Sequence, residues 1–414
     1  MCALKSHSYS VLTHEEIVDL LWAQHMLPLI QQRFPGLTEE QIKEAHAYAY
    51  GGSVIQDLGY YPFGNRQFSD LVHYVRSGDF VSEMLRQSQD PREFAFALGA
   101  LAHYVADVDG HPAVNQAVAL HYPKLRARYG PVVTYEDDRS AHLKTEFGFD
   151  VSQVAKHRYA SQEYHDFIGF EVSEGLLERV FPVVYGVDLK DVLAHEDLSV
   201  GTYRWAISRL IPHMTDVALA IHGKEIVQET PNFQKRQFLF RLRRADYEKA
   251  WGKNYRKPGL GTRFLAAILR ILPKFGPFKG LEFNEPTRQT EDLYIASINK
   301  TFDDCRAQLT KIRMAESGLP DRDLDTGELT RPEEYGLADH AYAHLLVLLA
   351  NEKFTQTSPQ LRDNILGFYA TAAAPAKAKA KAKKDDVNWE KVSIALDQLK
   401  ATPPAQAART SPSE

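Results

Sequence analysis

Residues 103–112 read HYVADVDGHP and set His103, Asp107 and His111 at four-residue steps along one helix. The segment ahead of it, QDPREFAFALGALA, opens with Asp90 as an N-cap, Pro91 at the first helical position and Glu93 three residues past the cap. Phe94, Phe96, Ala97, Leu98, Ala100, Leu101 and Ala102 make the helix apolar on nearly every side. Such a helix is enclosed by protein, so its imidazoles and carboxylate lie where polar groups need partners. Residues four apart differ by about 40° and rise about 6 Å, which lets His103 and Asp107 reach one ion together. His111 stands about 12 Å along the axis from His103 and about 80° round, too far for a single zinc with bonds of about 2 Å. The spacing therefore suits two or more ions with Asp107 between them, and Gly110 and Pro112 are expected to end the helix there.

Further ligand-type residues lie on either side of this segment. AHLKTEFGFD holds His142 and Glu146 four apart, a second pair able to share an ion with His111, and SDLVHYV holds His73. Asp57 follows a break at Gly51 and Gly52, and VLTHEE offers His14. One histidine alone is more often a packed polar group than a ligand, and one HxxxE pair arises easily by chance. The set carries more than its members. His340 and His344 share a helical face in LADHAYAHLLVLLA and are expected to pack rather than bind metal.

Helix starts recur at Thr13, Thr38, Asp90 and Ser173, while strand signals are scarce, so an all-α protein is expected. One helical body is expected over residues 9–225. A helical extension follows over 226–370, interrupted by the turn-rich SGLPDRDLDTGELTRPEEYG. Residues 371–414 start with the solvated spacer TAAAPAKAKAKAKK and then offer a short helix at DDVNWEKVSIALDQLK. FLAAILRILPKFGPFKG, from Phe264, is amphipathic and basic, and packing against the body outweighs a membrane-surface role for so short a segment.

A chain of 414 residues that is 44% hydrophobic and 25% charged can bury a large core. Its net charge of -5 and pI near 6.4 argue against a general nucleic-acid-binding surface. No apolar run is long enough for a transmembrane helix. Residues 1–8, MCALKSHS, lack an apolar stretch, yet Ser6 and Ser8 sit where a small-x-small cleavage site would precede Tyr9. The octapeptide therefore reads as a signal-peptide remnant or as an unstructured start.

The succession THEE, QDLGYYP, SDLVHYV, HYVADVDGHP and HLKTEF resembles the zinc-dependent phospholipase C family. Its HxxxDxxxH core is similar to the N-terminal domain of glycosylphosphatidylinositol-specific phospholipase D and, more distantly, to the fungal single-strand-specific zinc nucleases. The resemblance covers about residues 9–225 and implies a multi-helix body with up to three zinc ions. It implies one ion on Asp57, His73, His103 and Asp107, and a second on His111, His142 and Glu146. A third would take His14, Asp107 and the amine and carbonyl of the mature N-terminal residue, here Tyr9, five residues before His14. Asp57 is also implied as general base, and the family implies export to the periplasm or beyond.

Three dications against Asp57, Asp107 and Glu146 leave a positive surplus suited to phosphate, and a zinc-bound water with its pKa lowered to about 7 supplies a nucleophile. The expected activity is phospholipase C-type hydrolysis of a phospholipid head group or another small phosphodiester, with peripheral contact to a membrane surface. Two alternatives stand beside it. One is a single-strand nuclease or nucleotidase on the same fold, which would act on nucleic acid. The other is a non-catalytic scaffold stabilised by zinc, which the chemistry disfavours because structural zinc sites are closed and cysteine-rich whereas this chain has only Cys2 and Cys305. Tyr60, Tyr61 and Phe63 either line the mouth of the site or pack a turn.

Overall fold

Asp90 stands outside the central helix in extended conformation, and its carboxylate accepts from the amides of Arg92 and Glu93. Pro91 fills the first helical position and Glu93 reaches back to the Gln89 amide at 2.8 Å. These contacts satisfy donors that every helix start leaves open. In the computed structural model, residues 11–61, 64–155, 171–193, 199–201, 286–315, 318–371 and 387–403 are described. Helices are numbered here along those residues.

The helices of the first part are α1 (Val11–Leu21), α2 (Leu27–Arg33), α3 (Glu39–Gly52), α4 (Arg66–Tyr74), α5 (Ser77–Gln87) and the central α6 (Pro91–His121). A π-helical turn at Trp22–Met26 joins α1 to α2, and a 3-10 turn at Ile55–Tyr60 joins α3 to α4. Next come α7 (Pro123–Tyr129), α8 (Arg139–Ala155), α9 (Glu174–Tyr185) and the short α10 (Leu189–Val192). The C-terminal part supplies α11 (Arg288–Arg313), α12 (Gly336–Asn351), α13 (Pro359–Ala370) and α14 (Trp389–Ala401). Among the described residues no strand occurs, and one isolated antiparallel bridge pairs Arg322 with Leu329. The fold is all-α. No described helix is long and apolar enough to cross a membrane.

Helix α6 is the axis of the structure, with α3 on one flank and α11 on another. The α3 crossing is backbone against backbone. A Cβ on Gly52 would lie 1.9 Å from the Phe96 carbonyl oxygen, and one on Gly99 would lie 2.0 Å from that of Ala49. Only glycine fits at either position, and the close approach places the end of α3 beside the middle of α6.

Two expectations need correction. Helix α6 does not stop at Gly110 and Pro112 but runs on to His121 with the proline inside it. Pro112 removes only the amide that would bond the Val108 carbonyl, and that carbonyl is closely approached by Gly327, where an added Cβ would lie 2.4 Å from it. Thr13 is not a cap, since it lies within α1 and donates its hydroxyl to Asp150 at 2.6 Å, leaving the Tyr294 hydroxyl to donate to Thr13 at 2.7 Å. The helix expected to start at Ser173 does so, with Ser173 in the N-cap position of α9, although its side chain makes no capping bond. Thr38, by contrast, forms a full capping box with Gln41.

The tail helix expected near residue 389 is present as α14, which packs on α12 and α13. Arg362 of α13 donates to the carbonyls of Leu399, Lys400 and Thr402 at its end, where a cation suits the helix dipole. Tyr9, Phe63, the basic segment from Phe264 and the Ala/Lys spacer lie outside the described residues.

Candidate metal centre

Five elements converge on one buried cluster. Helix α1 brings His14, the 3-10 turn brings Asp57, and α4 brings His73. Helix α6 brings His103, Asp107 and His111, and α8 brings His142 and Glu146. All eight side chains belong to residues with relative exposures of 2% or less. Of the residues singled out from the sequence as ligands, the structure gathers these eight, and Tyr9 is outside the described residues.

Asp107 is the hub. Its Oδ2 lies 3.0 Å from His103 Nε2 and 3.6 Å from His73 Nε2, and its Oδ1 lies 3.5 Å from His14 Nε2 and 4.0 Å from His111 Nε2. Asp57 Oδ1 stands 3.5 Å from His73 Nε2. At the far end Glu146 Oε1 is 2.8 Å from His142 Nε2 and 3.5 Å from His111 Nε2. Three sets of donor atoms each fall within 4.8 Å of one another: His14, His103 and Asp107; Asp57, His73 and His103; and His111, His142 and Glu146.

The histidine tautomers follow from the backbone. Nδ1 of His73 meets the Ser69 carbonyl at 2.8 Å, Nδ1 of His103 meets that of Ser53 at 2.8 Å, and Nδ1 of His111 meets that of Leu324 at 2.7 Å. A carbonyl can only accept, so each Nδ1 carries a proton, and a neutral ring then turns the Nε2 lone pair into the cluster. This is the arrangement of a metal-ligating histidine with its outer partner in place.

The electrostatics divide the cluster into two ends. Burial pushes the Glu146 carboxyl up to about 8 against the pull of His111, and burial pushes His142 down to about 4. Burial, followed by His103, lowers His14 well below its ordinary value. Burial opposes protonation of His73, His103 and His111 too, but neighbouring carboxylates outweigh it and raise all three. Asp107 is held well below the carboxylate range, because the imidazoles of His103 and His111 outweigh the burial that would raise it.

A cation is the group that fits these donors. His73 Nε2, His103 Nε2, both Asp107 oxygens, His111 Nε2 and Glu146 Oε1 are buried without a hydrogen-bond partner. Leaving one such atom unsatisfied costs about 1–3 kcal/mol, so the cluster is a poor device for stability alone. Nitrogen and oxygen donors of this kind, with the thiol of Cys305 packed in the core instead, match zinc better than a soft-metal site.

Residues 13–193 match the family model for zinc dependent phospholipase C. Over that span the chain is similar to the zinc-dependent phospholipase C family. All eight described donors lie inside it. No curated protein and no solved structure matches the chain. The family similarity and the three His/carboxylate donor sets support Zn2+ as the metal, and the matched family is one of hydrolases.

The aromatics beside Asp57 are packed. Tyr60 and Tyr61 are 8% and 5% exposed, and the Tyr60 hydroxyl points to Asp70 Oδ1 at 3.5 Å. Sequence reasoning missed the carbonyls of Ser53, Ser69 and Leu324, because a backbone acceptor has no residue-type signature. His340 packs against Trp389, with ring centroids 6.1 Å apart, on the far helices α12 and α14.

Proposed function

We propose that this protein is a zinc phosphodiester hydrolase with room for up to three ions, acting on phospholipid head groups or other small phosphodiesters at a membrane surface. Asp57, His73, His103 and Asp107 hold one ion in this reading, His111, His142 and Glu146 a second, and His14 with Asp107 part of a third. Export and processing that exposes Tyr9 would complete the third set. The catalytic body spans residues 9–225, with 226–370 as its extension and 371–414 as a tail.

The convergence of three His/carboxylate donor sets around Asp107, all buried, is the observation that carries the reading. When bound, zinc supplies Lewis acidity and lowers the pKa of water toward neutrality. The protein groups do the rest. Five neutral imidazoles would hold the ions without adding negative charge, so that only three carboxylates offset them and a phosphodiester anion would still be attracted, and the Ser53, Ser69 and Leu324 carbonyls keep three rings from rotating. Asp57, at the edge of the cluster beside His73, accepts the proton of the attacking water through its carboxylate.

The experiment is zinc content by elemental analysis on protein beginning at Tyr9 and on the Met1 form, paired with turnover of a chromogenic phosphodiester. Near three zinc ions in the Tyr9 form, fewer in the Met1 form, and activity that tracks zinc is the expected result. Little zinc in either form overturns the reading. Phosphatidylcholine vesicles and single-stranded DNA offered side by side then separate a phospholipase from a nuclease.

A further inference from the structure

Residues 318–335, beyond the end of the family match at residue 193, run as a strap across the metal cluster. The strap is tied down before it reaches the site. Tyr104 donates to the Pro320 carbonyl at 2.6 Å, Asp321 Oδ1 accepts from the amides of Gly78 and Asp79 at 3.1 Å each, and Ser77 exchanges hydrogen bonds with the backbone of Arg322. Gly327, at φ +75°, lets it turn against α6, where an added Cβ would strike the Val108 carbonyl.

Leu324 and Asp325 meet the ligands from behind. Leu324 is fully buried, donates its amide to the carbonyl of His73 at 3.2 Å and accepts from His111 Nδ1 at 2.7 Å. Asp325 Oδ1 stands 3.6 Å from the same Nδ1, and its Oδ2 accepts from the hydroxyls of Tyr74 at 2.8 Å and Tyr335 at 2.6 Å. Asn115, one turn past His111 on α6, donates to the Asp325 carbonyl at 2.9 Å. Asp325 sits on the Nδ1 side of the ring whereas Glu146 lies on the Nε2 side, so it faces the back of His111 rather than the donor set.

We infer that Leu324 and Asp325 are positioning residues that hold His111 for the ion it shares with His142 and Glu146, so that the C-terminal part of the chain completes the metal site. The inference rests on the zinc reading above. A carbonyl fixes the ring's orientation and tautomer, and a carboxylate behind the N–H strengthens Nε2 as a donor; loss of such an outer partner weakens metal affinity by about 10- to 100-fold. Leu324 acts through its backbone, so Asp325 is the residue that substitution can reach.

The test titrates zinc into the full-length metal-free chain against a chromogenic chelator, with the melting temperature of the metal-free protein measured alongside. Asp325→Asn keeps the size and the acceptor for the tyrosine hydroxyls but removes the charge. The expected result is one ion bound about 10-fold or more weakly, the other ions unchanged and the metal-free melting temperature within a degree or so of the native chain. Adding Asp325→Asn to His142→Ala, which already lacks that ion, should lower zinc binding no further. Unchanged affinity for every ion overturns the inference, as does a weakening of all ions together with a lower metal-free melting temperature. If Asp325→Asn does not fold, Tyr335→Phe decides, since it removes one partner of the same carboxylate: a smaller shift on the same ion supports the inference and no shift overturns it. A native chain that binds no zinc sinks the metal reading itself, which is distinct from a native chain that binds zinc no better than the variants.

Discussion

His103 belongs to two of the three donor sets and is fixed by the Ser53 carbonyl, so its loss cannot be confined to one ion. His103→Ala is expected to remove most of the zinc and reduce turnover of a chromogenic phosphodiester to background. His344, on α12 and outside the three donor sets found among the described residues, is the control. His344→Ala should leave zinc content and turnover within about two-fold of the native chain, and equal losses from the two substitutions would count against the assignment. At this scale the sequence is informative about residue types, because His and Asp at four-residue steps on an apolar helix have few other uses. It is silent about orientation. The Nδ1 partners of His73, His103 and His111 are backbone oxygens, and whether a given ring nitrogen faces inward depends on where a carbonyl of another segment arrives.

The element that sets the geometry is the α3–α6 pair. Gly99 meets the Ala49 carbonyl and Gly52 meets that of Phe96, and Ser53, next after Gly52, carries the oxygen that holds His103. Gly99→Ala pushes a methyl into backbone that cannot yield as a side chain could, so a loss of about 1–3 kcal/mol is expected. Thermal melts should show it, and zinc binding should weaken with it as Ser53 shifts. The strap offers a second prediction with a sign in pH. Burial, aided by Asp79, raises Asp321 to about 6 although two amides point at it. Its folded pKa thus lies above the unfolded value of about 3.9, so the stabilising contribution of its protonated form is complete below pH 4 and is lost as pH rises through about 6. Asp321→Asn keeps the acceptor without the ionisation. In metal-free protein the variant should melt close to the native chain near pH 4 and above it at pH 7.5, and a difference that shrinks with rising pH would contradict the assignment. The sequence marked residues 317–336 as a turn-rich interruption and no more, because acidic and glycine residues at a turn look alike whether they face solvent or pack against α4, α5 and α6.

Across the whole molecule, what was legible and what was not divide by separation along the chain. The Asp90 cap, the Thr38 box and the tail helix depend on residues a few positions apart and could be read directly. The bond from His111 to Leu324 joins positions 213 residues apart, and no local pattern announces it. The extent of α6 was misjudged for the same reason, since Pro112 looks like a stop until Gly327 is known to cover Val108. Long-range packing also decides what the tail can do. Helix α14 buries Val392, Ala395, Leu396 and Leu399 and receives Arg362 at its end, while α12 beneath it packs on α4, the helix of His73. Helix α14 thus supports the support of the site, packing on α12 and α13. A chain stopped at residue 386 should therefore keep its zinc and its turnover within about two-fold, while melting lower by a few degrees, because each apolar side chain re-exposed on α12 and α13 forfeits up to about 1.5–3 kcal/mol of burial. Zinc lost in proportion to the fall in melting temperature would instead mean that α12 cannot hold α4 in place alone, and that the tail helix is part of the metal-binding unit.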